Sequence, residues 1–177
     1  MNKLTKVISG ICVFCFFSLP AISQNVAVID TQAAILQTQV AQDAFKALEE
    51  ETEYSSMVEE AKELQAKRQN MVEKLQKDAE ALSNEEIAEL QKDIQENGQD
   101  LEFILGKIQA KQNETVQSVA TELNPQMMKI INDLIISKKI QILLGADQVL
   151  FSDSSVSITE QVTDALDGAA TAESQSD

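Results

Sequence analysis

The run MVEEAKELQAKRQNMVEKLQKDAEAL, residues 57–82, decides the architecture. Its larger or apolar positions Met57, Ala61, Leu64, Arg68, Met71, Leu75, Asp78 and Leu82 recur at alternating spacings of four and three. Such a heptad seam forms where one face of a helix packs along another helix, and here two of its members are polar. Ser83-Asn84-Glu85-Glu86 interrupts the pattern, and Ser83 with Glu86 three places on matches a capping box, which satisfies the free amides of a new helix start. A second seam follows at Ile87, Leu90, Ile94, Asn97, Leu101, Ile104, Ile108, Lys111 and Thr115. Folding the chain back at 83–85 sets Leu75 near Ile94, Arg68 near Leu101, Leu64 near Leu105 and Ala61 near Ile108. The prediction is a long antiparallel helical hairpin, a coiled coil whose arms of about 40 to 50 residues reach roughly 60 to 75 Å.

The flanks read differently. Asn25-Val-Ala-Val-Ile29 is short, apolar and β-branched, as a buried strand is, and Asp30 or Thr31 stands where a cap belongs ahead of Ala33 to Leu36. The next 50 or so residues hold neither Gly nor Pro. Beyond the hairpin, Asn124-Pro125 marks either a kink or a fresh helix start, because proline lacks an amide donor but is tolerated in a first turn. Met127, Met128, Ile130, Ile131, Leu134 and Ile135 give the following helix an apolar face. Ile140 to Leu144 and Gln148 to Phe151 then read as two strands joined by Gly145-Ala146-Asp147, and Ile158, Val162 and Leu166 as a last short helix starting near Thr159. The fold class expected is mainly α with a small β base, an α+β arrangement in which residues 24–36 and 126–167 form the base, 37–125 the arm and 168–177 a disordered tail.

Residues 1–23 read as a secretory signal peptide: Lys3 and Lys6, an apolar run from Val7 to Leu19, then Pro20-Ala21-Ile22-Ser23 with small residues one apart and cleavage near Ser23. The apolar run is shorter than the roughly 20 residues a bilayer requires, so no stable membrane anchor is expected. Cys12 and Cys15 both lie in the removed segment, which leaves no thiol or disulfide behind. Loss of Lys3 and Lys6 takes the formal charge from −15 to −17, and that surface disfavours nucleic acid. The chain contains no histidine. Without His or Cys the common nucleophile and base pairings and most zinc sites are missing, so no catalytic residue, cofactor or metal is expected. Glu49, Glu50, Glu51 and Glu53 are read as a solvated helix face, Ser83 as a cap and Tyr54 as packing.

A two-helix rod buries only a narrow stripe, and three short strands make no independent core, so an oligomer joined through the base is expected. Val26, Val28, Ile142, Leu144, Val149 and Phe151 are the candidate assembly residues.

Two ends of the chain carry a resemblance. Asn25-Val-Ala-Val-Ile-Asp30 with the helix start at Ala33 to Leu36, and Ile142-Leu-Leu-Gly-Ala-Asp-Gln-Val-Leu-Phe151 followed by Asp153 and Val156-Ser-Ile-Thr-Glu-Gln-Val162, resemble the signature of the Skp/OmpH family of periplasmic chaperones around its base. The resemblance implies a periplasmic homotrimer whose helical arms enclose unfolded outer-membrane β-barrel proteins and keep them soluble without ATP. Met57, Leu64, Met71, Leu101 and Ile104 are then the candidate client contacts. Familiar members are basic, whereas this chain is acidic, and Lys62, Lys67, Arg68, Lys74 and Lys77 are interleaved with Glu63, Glu73 and Asp78. The family's lipopolysaccharide contacts are therefore not carried over. The alternative is a structural coiled-coil spacer or adaptor of the cell envelope, which calls for a continuous apolar seam; Arg68, Asp78, Asn97 and Lys111 interrupt this one.

Overall fold

The computed structural model describes residues 25–174, so the leader expected over 1–23 lies outside the described residues. Strand β1, Val26–Ile29, is followed by helices α1, Thr31–Leu36, α2, Gln39–Glu50, α3, Thr52–Lys77, and α4, Asn84–Lys138. Strand β2, Ile142–Gly145, and helix α5, Thr159–Ser174, complete the order. The two strands are parallel, Val26 facing Ile142 and Ile29 facing Gly145. The protein is thus mainly helical with a small β base, as the sequence indicates.

The long Gly-free and Pro-free stretch after Asp30 is broken twice. Asp30 caps α1, its Oδ1 accepting the Ala33 amide at 2.8 Å. Thr38 then closes α1 and opens α2: its hydroxyl donates to the Ile35 carbonyl at 2.7 Å and accepts the Ala41 amide at 3.2 Å. Thr38 is fully buried, so both of these bonds are made away from competing water. Glu51, in extended conformation, separates α2 from α3. Neither break uses a helix-breaking residue type, which is why no punctuation in the sequence marks them.

At the far end, α3 stops at Lys77 and the chain turns through 78–83, so Asp78 and Leu82 fall outside the helix and not on its seam. The capping box at the start of α4 is complete. The Ser83 amide donates to Glu86 Oε2 at 2.8 Å and the Glu86 amide to Ser83 Oγ at 3.3 Å. Because the turn begins six residues before Asn84, the helices meet about one turn from the expected register: the Arg68 guanidinium lies against Gly98 and Tyr54 pairs with Gln112.

Helix α4 continues through Pro125, so no fresh helix starts there. Pro125 faces solvent, while Leu123, Met127 and Ile131 on the opposite face are buried. Their packing on both sides of the proline outweighs its missing hydrogen bond. Lys139, in the left-handed region at φ 55°, ends the helix, and the Ile140 amide reaches back to the Ile135 carbonyl at 3.0 Å. Asn25 Nδ2 donates to the carbonyls of Lys138 and Lys139, tying the first described residue to this corner.

Two expectations for the C-terminal part change. Ala146–Gln148 is a 3₁₀ turn and Val149 to Phe151 is loop, so among the described residues the base holds two strands and not three. Helix α5 continues to Ser174, beyond the point where small and polar residues pointed to a disordered tail from Gly168. Ala169, Ala170 and Ala172 are the physical reason, alanine being the strongest helix former.

The core of the base gathers Ala27, Ile29, Ala34, Ile35, Val119, Leu123, Met127, Ile131, Ile158, Val162 and Leu166. A separate cluster of Leu48, Tyr54, Met57, Ala61 and Ile104, flanked by Leu64, Leu101 and Ile108, joins α2, α3 and α4 at the root of the arm.

Candidate functional site

Two surfaces stand out: the open side of the strand pair and the length of the arm. β1 is held on both edges. Along one it pairs with β2, and along the other the Ile158 amide donates to the Val28 carbonyl at 2.9 Å beside the Val28–Ser157 bridge. The Asp30 amide adds a bond to Thr159 Oγ1 at 2.9 Å. Among the described residues β2 has β1 on one side only, and an unpaired strand edge is a template for another strand. Large apolar side chains are open on this strand and in the loop beyond it: Ile142, its first residue, is 44% exposed, Leu150 fully exposed and Phe151 86% exposed. Ile136, near the end of α4, is 76% exposed.

The candidate assembly residues therefore divide. Val28 is buried and Val26 half-buried within the chain's own β layer, Leu144 and Val149 are half-buried, and Ile142 and Phe151 face outward. Leu150, which sequence reasoning passed over, is the most exposed of the group. Reading 148–151 as a strand placed Val149 and Phe151 on one face and turned Leu150 away from it; in a loop that alternation does not hold.

On the arm, Met57 and Ile104 are buried in the root cluster, and Leu64, Met71 and Leu101 are half-buried along the seam. Heptad positions face the partner helix, so a seam residue has little free surface while the hairpin is closed. The apolar groups that the arm does present are Phe103, 63% exposed, and Leu105, 49% exposed. The Lys107 ammonium sits 4.5 Å from the Phe103 ring centre and shields one face of it. Leu105, with Ile94, Leu101 and Arg68, lines an open groove of about 500 Å³ beside the seam. Phe103 was legible as an apolar residue that fits neither heptad position.

Charge organises the root. The Lys111 ammonium lies 3.3 Å from Glu51 and 3.7 Å from Glu53, bracing α4 against the α2–α3 break. The hydrogen bond to Glu51, then the charges of Glu51 and Glu53, raise Lys111 above the usual lysine range. Gln112 Nε2 donates to the Tyr54 hydroxyl at 2.8 Å one position further along. At the tip, hydrogen bonds from the Ser83 backbone and then its side chain lower the Glu86 carboxyl.

Further out, Asn97 is buried on the seam at 4% exposure, and neither its Oδ1 nor its Nδ2 has a hydrogen-bond partner. Leaving a buried polar group unpaired costs about 1–3 kcal/mol. Among the described residues no group of His, Cys, Asp and Glu is placed to hold a metal ion, and no helix is long and apolar enough to cross a membrane.

The family model described as outer membrane protein (OmpH-like) matches residues 25–166. Among solved structures, a candidate outer membrane chaperone (OmpH-like) from Caulobacter crescentus CB15 aligns with a TM-score of 0.45 and 16% identity, over 82% of this chain and 85% of that one. No curated protein matches by sequence.

Proposed function

This chain belongs to the OmpH-like family of outer membrane proteins, and from that premise we propose that it is an ATP-independent holding chaperone of the periplasm that keeps unfolded outer-membrane β-barrel proteins soluble. It is exported by its N-terminal leader and does no catalysis. Three copies join through their bases, where a second chain covers the open edge of β2 together with Leu150 and Phe151. Three arms then enclose a client, and affinity comes from many weak apolar contacts and avidity and not from one pocket.

The observation that carries this reading is a long acidic rod that displays Phe103 and Leu105 while its base leaves an apolar strand edge uncovered. A spacer has no use for exposed apolar groups along its length and gains from a continuous seam; the buried Asn97 interrupts this one. The test is dilution of a denatured β-barrel into buffer with and without the protein and without nucleotide, followed by light scattering. A holding chaperone suppresses the scattering at near-stoichiometric amounts. A spacer leaves it unchanged, and that result would end the proposal.

A further inference from the structure

Burial along the arm stops abruptly. At the root, α3 and α4 enclose Tyr54, Met57, Ala61 and Ile104. From there to the turn at 78–83, the apolar seam residues Leu101, Ile94, Leu90, Ile87, Leu75 and Met71 are all partly exposed. The one buried side chain on that stretch of α4 is Asn97, with its whole amide unpaired. The nearby Arg68 does not satisfy it: the guanidinium lies over Gly98, 3.8 Å from where a Cβ would stand, at the edge of the open groove.

An unpaired amide inside an apolar contact favours any state in which water reaches it. Parting the helices from the tip as far as Asn97 supplies that water and gives up only half-buried contacts. Parting them beyond Ile104 would uncover the root cluster, and Lys111 with Glu51 and Gln112 with Tyr54 hold the two sides together there. The tipward part of the arm therefore has little to lose by opening and a defined place to stop.

We propose that the arm is a clasp: α3 and α4 separate and rejoin from the tip to Asn97, with Asn97 biasing the joint toward opening and Ile104 as its limit. The open form uncovers Met71, Leu75, Ile87, Leu90 and Ile94 on facing helices. This inference goes beyond the holding function and concerns the arm alone, so it stands or falls whether or not the protein retains clients.

The experiment is amide hydrogen exchange on the full-length protein read by peptide mass spectrometry. Amides of residues 64–77 and 84–100 are expected to exchange faster than those of 52–61 and 104–123. Asn97→Leu removes the unpaired amide and adds an apolar contact, and should slow the tipward exchange about tenfold or more while leaving the root unchanged. Asn97→Ala should slow it by a smaller factor, and decides the matter alone if the leucine variant aggregates. Equal protection on both sides of residue 97 in the wild-type protein would overturn the proposal. So would a tipward gradient that neither substitution moves, since that is plain fraying, or slowing that spreads equally to the root.

Discussion

Leu166 in the base and Leu90 in the arm are the same side chain on helices of similar polarity, yet Leu166 is 1% exposed and Leu90 remains partly open. The difference lies in how many elements converge. Around Leu166 the core draws on β1, α1, α2, α4 and α5, from both ends of the chain, whereas Leu90 meets one neighbouring helix. Two helices in contact cover one stripe of each other and no more. Apolar content alone does not make a core, and this protein concentrates its stability at one end and leaves the other loosely closed.

The assembly tests this division most severely. If the base is the end that must be covered, Leu150→Asp with Phe151→Asp should convert a trimer at micromolar concentration to a monomer with unchanged helical content, because the added charges resist burial between chains. Sedimentation velocity distinguishes the two, and a wild-type monomer would remove the base from any role in association. Next in size is the core itself. Leu166→Ala should cost about 2–5 kcal/mol in chemical denaturation, and Leu90→Ala under about 1 kcal/mol. Equal losses would mean that the tip is as well packed as the base.

Ser83→Ala sharpens the contrast from the other side. It removes the cap of α4 and should cost about 1 kcal/mol, felt as faster exchange near the tip and hardly at all in the base. Hydrogen bonds lower the folded-state Glu86 carboxyl below its unfolded value, so the stabilisation it adds is present above the unfolded pKa and fades as pH falls through the lower, folded one. The tip should therefore loosen on acidification before the base does, and Glu86→Gln should remove that pH dependence. The smallest effect belongs to Lys111→Met. Its raised pKa means that its contribution is present below the unfolded value and is lost as pH climbs through the folded one. The variant should differ slightly from the wild type near neutrality and converge with it in strong alkali, as thermal melts across pH would record; Lys111 is partly exposed, so salt should also shrink the difference.

Periodicity made the hairpin, its capping box and the buried faces of α4 and α5 legible, because each repeats a local rule many times. What escaped depends on single distant contacts. Thr38 breaks a helix because it is buried between Ile35 and Ala41, and the Gln39 amide that follows it is met by Asp167 from α5, 128 residues away. The register moved because a six-residue turn replaced a three-residue one. Val149 to Phe151 have strand-like composition but pair with no strand among the described residues. As for the candidate site, the seam rule identified residues that meet the other helix, and these are the ones with least surface to offer. Phe103 and Leu105 needed the opposite question, namely which apolar residues the seam leaves over.

The parallel pairing of Val26 with Ile142 has a kinetic meaning as well. A parallel pair needs a long crossover, and here the entire arm serves as that crossover. β1 is synthesised first and has nothing to pair with until β2 follows, while α3 and α4 meet through contacts far closer in sequence. Contacts of low separation form sooner, so the hairpin should zip early and carry the two strands to one place. Cutting the chain within 78–83 would turn that delivery into an encounter between two fragments, and the pairing of β1 with β2, a first-order step within the intact chain, would become second order.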